Sequence, residues 1–113
     1  MLIAEVPSGT QSARGAMSNG ICLGVLASCP LPIIEVSPLE AKLATGHGKT
    51  ATKADMIAWA TGLYPSAPWL MSRGRMVAKN KNEHLADATA IVHAGIATAA
   101  FQSSISIMRT FAI

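Results

Sequence analysis

Apolar and polar positions follow two rhythms along this 113-residue chain. A short, unbroken apolar run, "LIAEV" at residues 2–6, closes on Pro-Ser-Gly. Such a run suits a buried parallel strand with a turn at its C-terminal end. "SARGAMSNGICLGVLAS" then repeats small and apolar residues at helical spacing: Ala13, Ala16, Gly20, Leu23 and Ala27. Ser12 is a suitable N-cap, "CPLP" stops the helix, and the small residues predict close packing onto a sheet. "IIEVSP" is a second short apolar strand. The Gly- and Lys-rich middle of "LEAKLATGHGKTATKADMIAWATG" reads as an exposed loop. Thr52, with Asp55 three residues on, predicts a capping box and a helix to about Thr61, with Gly62 as its stop. "YPSAPW" is a turn and "LMSRGRMVAKNKN" is irregular and basic. Asn82 is expected to cap a last main helix over 83–100, and the tail beyond is either a frayed helix or a short extra element.

Strands alternating with helices predict parallel α/β architecture: two parallel strands, three main helices and a single domain over 1–113. Two strands alone make a poor sheet, so further strands are expected from outside this sequence or from a partner. Half of the residues are hydrophobic and aromatics are few, so the core is expected to be aliphatic. No stretch reaches the ~20 apolar residues of a membrane span. The first residues carry Glu5 and Pro7 without a basic flank, unlike a secretory signal. Cys22 and Cys29 lie two helical turns apart, roughly 10 Å, beyond disulfide reach. They are read as buried free thiols in a reducing, cytoplasmic setting.

The formal charge of +3 is modest, but seven of the nine basic residues fall between 42 and 81: Lys42, Lys49, Lys53, Arg73, Arg75, Lys79 and Lys81. Such a run is either a solvated surface or a nucleic-acid contact. Acids are scarcer still, only six, yet Glu83 and Asp87 flank His84 at the start of an otherwise apolar helix. His84 and Asp87 share a helix face and could hold a hard cation if another carboxylate reached them. The plain alternative is that both acids favour the positive helix N-terminus and His84 is a surface residue. Ligands gather at the C-terminal ends of parallel strands, where Glu5 sits. Glu5 is therefore either a ligand or an edge-strand residue facing water, and Glu35 is read as structural.

Taken in order, "IAEVPSGTQSARGAMSNGICLGVL", "IIEVSPLEAKLATGHGKTATKADM" and "EHLADATAIVHAG" resemble RuvC-type Holliday junction resolvases of the RNase H-like superfamily. The likeness runs from Leu2 to about Phe101, and residues 64–82 look like a basic insertion of the kind found in phage or prophage relatives. It implies a partial RNase H-like fold and a Mg²⁺-dependent, two-metal endonuclease acting on branched DNA such as four-way junctions. Glu5, His84 and Asp87 would be metal ligands, and Lys53 would join them as a catalytic residue. Lys42, Gly46, Gly48, Lys49, Lys53, Arg73 and Arg75 would contact DNA, the lysines neutralising phosphate and the glycines letting backbone approach it. A homodimer, usual in the family, is a further candidate partner. The family opens with a β-hairpin bearing an essential Asp, whereas no Asp precedes position 55 here. The N-terminal hairpin strands are thus expected to be missing. The alternative is an inactive DNA-binding remnant, or a subunit that completes a partner's sheet. A third reading is a small α/β domain without a nucleic-acid role.

Overall fold

The computed structural model describes residues 1–6, 9–73, 75–76 and 81–112, with backbone alone at 75 and 76. The chain is mixed α/β, and its described residues fall into two compact units.

The first unit comprises Met1–Pro38 and Gly95–Ile113. β1 (Leu2–Glu5) and β2 (Ile33–Val36) pair in parallel, with Ile3 beside Ile34 and Glu5 beside Val36. Successive side chains alternate faces, so Ile3, Glu5, Ile34 and Val36 share one face of this ribbon. Ile34 and Val36 are buried, and Glu5, at the strand's end, is exposed. Leu2 N–H to Pro32 O (2.8 Å) and Val6 N–H to Val36 O (2.9 Å) extend the ladder at both ends. Between the strands runs α1 (Ala13–Ala27), capped by Ser12, whose hydroxyl accepts from Gly15 N–H at 3.0 Å. The expected close packing of its small residues is absent: no residue of α1 is buried, and a Cβ at Gly20 or Gly24 would meet nothing within 4 Å. For the same reason Cys22 is exposed and Cys29 half-buried, so both are free thiols but neither is buried as expected. The tail forms α5 (Ala99–Phe111), capped by Thr98 and likewise without a buried residue.

The second unit, Leu39–Ala94, holds most of the buried side chains. The first helix here, α2 (Pro38–Ala44), precedes the Gly- and Lys-rich stretch that was expected to be a loop and is one, and the helix itself was not expected. Pro38 occupies the first helical position, where its missing N–H is no loss. The helix ends at Thr45, whose hydroxyl donates to Lys42 O at 2.7 Å, and at Gly46. Gly46 and Gly48 both have φ +78°, a left-handed backbone that glycine adopts without steric cost. Next comes α3 (Lys53–Leu63), opened by the expected capping box: Asp55 N–H donates to Thr52 Oγ1 at 3.2 Å, and Thr52 N–H to Asp55 Oδ2 at 2.9 Å. It runs through Gly62 to Leu63, one residue past the predicted stop.

Within the basic segment, β3 (Met71–Ser72) and β4 (Arg75–Met76) form a small antiparallel hairpin rather than irregular chain. Arg73 has φ +50°, as a tight hairpin turn requires. The segment is pinned by Asn82, which is fully buried: its Oδ1 accepts from Leu70 N–H at 2.8 Å and its Nδ2 donates to Leu70 O at 3.2 Å. Asn82 also precedes α4 (Glu83–Ala97), and Ala86 N–H bonds its carbonyl at 3.0 Å. Ala86, Ala90 and Ala94 line the buried side of α4. From Gly95 onward the helix clusters with the first unit, where Gly95 meets Ile3 of β1. Among the described residues there are thus five helices, two more than the main three expected. No single described helix is long and apolar enough to cross a membrane.

Candidate DNA-backbone site

The candidate residues of the second unit meet at the N-terminal turn of α4. Lys53, the first residue of α3, places Nζ 2.8 Å from Glu83 Oε1. A cation at a helix N-terminus opposes the helix dipole, so Lys53 breaks a local rule that Glu83 then compensates. The bond to Glu83 raises the proton affinity of Lys53 first, with its charge adding to the effect. The lysine stays 71 % exposed while Glu83 is only 18 % exposed, so the pair is a cation reaching out over a sheltered acid.

Asp87 lies one turn further along α4 and is half-buried. Burial pushes its carboxyl above the usual range, and the charge of Glu83 pushes it further. His84, Lys53 and Lys42 pull the other way without prevailing. These opposed influences bring Lys42, Lys53, Glu83, His84 and Asp87 into one electrostatic cluster. Lys42 is half-buried on the last turn of α2, and His84 is exposed. The loop joining the two lysines carries Gly46, Gly48 and the exposed Lys49. Thr45 stiffens it by accepting His47 N–H at 3.3 Å, and Ala51 N–H closes back on Gly48 O at 3.2 Å.

The remaining expected positions lie on other elements. Arg73 is exposed at the hairpin turn, and the side chain of Arg75, like all of Lys79, lies outside the described residues. Glu5 belongs to the first unit, at the open end of β1. Glu83, whose role the sequence left open, is the direct partner of Lys53. The spacing of Glu83 and Asp87 signalled the cluster, but nothing local signalled a lysine thirty residues earlier. His93 is on another side of α4, as its spacing predicts, and bonds Tyr64 OH through Nε2 at 2.8 Å.

A divalent metal fits these residues poorly by themselves. Glu83 is engaged by Lys53. Among the described residues no three His, Cys, Asp or Glu side chains gather as ion ligands do. What the cluster offers unaided is two cations, Lys42 and Lys53, at the ends of the helices that flank the glycine-bearing loop. Compared with known proteins, the chain matches no family, no curated protein and no solved structure.

Proposed function

We propose that this chain binds the phosphate backbone of branched DNA, as the C-terminal part of a RuvC-like nuclease. One observation carries the reading: Lys42 and Lys53 flank a loop with two left-handed glycines, and both act on Asp87 at the head of α4. Lysines on such a loop touch phosphate without reading bases, which suits recognition of junction shape. The Lys53–Glu83 pair does not oppose this. Lys53 is mostly exposed, so solvent weakens the pair and a phosphate can take the place of Glu83 on the lysine. Hydrolysis needs more acids than this cluster offers. Mg²⁺ therefore belongs to the proposal only with carboxylates added from outside the cluster, Glu5 and a first-strand Asp being those the resemblance calls for.

A specific observation favours the second reading, a non-catalytic subunit that completes a partner's sheet. β1 and β2 form a two-stranded parallel ribbon among the described residues, whereas parallel sheets are ordinarily larger and covered on both faces. One experiment separates the two. A labelled four-way junction and a duplex of the same sequence are titrated with the chain, then incubated with Mg²⁺. Retention of the junction supports the DNA reading. Cleavage that Asp87→Asn abolishes assigns the chain to the nuclease itself, and retention without cleavage supports DNA binding without hydrolysis by this chain alone. No retention at low salt removes the DNA reading and leaves the subunit that completes a partner's sheet or a domain without a nucleic-acid role.

A further inference from the structure

The second unit contains a cavity that DNA binding does not use. Its volume is about 310 Å³, and Tyr64, Pro68 and Trp69 line it from the turn after α3, with Leu85, Val92 and His93 from α4. A cavity of this size lies at the lower end of small-molecule sites, roughly 300–1,000 Å³. Its walls are held in place before anything enters. Trp69 is 8 % exposed, and its Nε1 donates to Tyr64 O at 2.7 Å. Asn82 grips the next residue, Leu70, on both backbone groups. His93 is fixed by Tyr64 OH and by Trp59, whose ring meets the imidazole edge-on at 5.1 Å. The rim is apolar yet open: Tyr64, Leu85 and Val92 are 46, 43 and 45 % exposed. Water in such a concavity finds few partners, and its release favours an apolar guest.

The lining also selects the guest. It contains no Lys, Arg, Asp or Glu, so an ionic ligand would lose its hydration without gaining a counter-charge. Aromatics are scarce in this chain, two Trp, one Tyr and two Phe, yet the one Tyr and one Trp form the wall and the other Trp braces it. Offset or edge-to-face ring contacts favour an aromatic guest over an aliphatic one of equal area. The Thr89 hydroxyl in the lining already donates to Leu85 O at 2.8 Å, which leaves the Tyr64–His93 hydrogen bond as the polar feature facing a guest, and its hydroxyl oxygen can still accept. We propose that this cavity binds a neutral aromatic small molecule of one or two rings, carrying one hydrogen-bonding group directed at the Tyr64–His93 pair.

The test uses the full chain labelled with ¹⁵N and three probes, p-cresol, toluene and cyclohexanol. Saturable shifts of the Trp59 and Trp69 indole N–H signals are expected with p-cresol. Its affinity should exceed that of toluene by about two- to tenfold, the worth of one neutral hydrogen bond. In Tyr64→Phe/His93→Phe that preference should disappear while toluene still binds. Thr89→Phe and Ala67→Phe each push a ring into the cavity, and whichever of the two keeps a dispersed native spectrum should lose p-cresol binding at least tenfold. The proposal is overturned by an absence of saturable shifts, by cyclohexanol binding as tightly as p-cresol, or by wild-type binding in a folded blocking variant.

Discussion

Gly95→Ala is expected to destabilise the protein although alanine is the better helix former. A Cβ at position 95 would stand 2.8 Å from Ile3 Cδ1 and 3.1 Å from Cγ1, and closer still to Cγ2. Cγ2 is fixed to the branched Cβ of a strand residue, so it has little freedom to retreat. Overpacking of this kind costs roughly 1–3 kcal/mol. Against it stands the helix propensity gained, at most about 1 kcal/mol and less in a final turn. The net expectation is a loss of about 1 kcal/mol. Gly24 provides the control: it lies near the end of α1 and a Cβ there meets nothing within 4 Å. Gly24→Ala should therefore gain up to about 1 kcal/mol. Urea unfolding of both variants reads the difference, about 1–3 kcal/mol in favour of Gly24→Ala. In an Ile3→Ala background the penalty at position 95 should vanish, which a double-mutant cycle measures. If Gly95→Ala stabilises as much as Gly24→Ala, the close approach of α4 to β1 is not a feature of the folded protein.

Three further outcomes follow from the second unit. Asn82→Ala removes two part-buried hydrogen bonds to the Leu70 backbone, and at about 0.5–1.5 kcal/mol for each it should lower the urea midpoint, with the Trp69 indole N–H signal shifting as the turn loosens. Asp87→Asn should stabilise the protein by less than about 1 kcal/mol, since the site is mostly solvent-screened. The folded carboxyl of Asp87 is raised above 3.8, so the wild type loses stability as pH rises from that value through the folded pKa. The advantage of Asn should therefore be absent below the unfolded carboxyl value and full once pH has risen through the folded pKa in paired urea titrations; an advantage that shrinks with rising pH contradicts the assigned burial. Glu83→Gln releases Lys53 from its ion pair and removes a charge that repels phosphate, so junction affinity measured by anisotropy should rise; unchanged or weaker binding would mean that Lys53 does not face DNA.

The elements legible in the sequence were those with strong local signals. Ser12 and the Thr52–Asp55 capping box fixed two helix starts, and the apolar runs at 2–5 and 33–36 gave both parallel strands. The missed α2 is short, and its Lys-Gly-rich continuation masked the Pro38 start signal. The hairpin at 71–76 depends on a positive φ at Arg73, which no glycine or asparagine at that position announced. Small residues in α1 suggested packing, but composition does not distinguish a helix packed on a sheet from one left open, and this one is open. At the site, the i, i+3 and i, i+4 spacings revealed that Glu83, His84 and Asp87 neighbour one another. The Lys53–Glu83 pair was illegible because it joins residues far apart in the chain, and so was the cavity, which is assembled from a turn and a helix face.

The most direct measurement is the salt dependence of four-way-junction binding for the wild type and for Lys42→Ala/Lys53→Ala. Between about 50 and 200 mM salt, log affinity should fall linearly with log salt concentration, and the double substitution should make that slope shallower by about 1.8. Binding that is absent at low salt, or a slope unchanged by removing both lysines, would contradict the assignment of this loop to the DNA backbone.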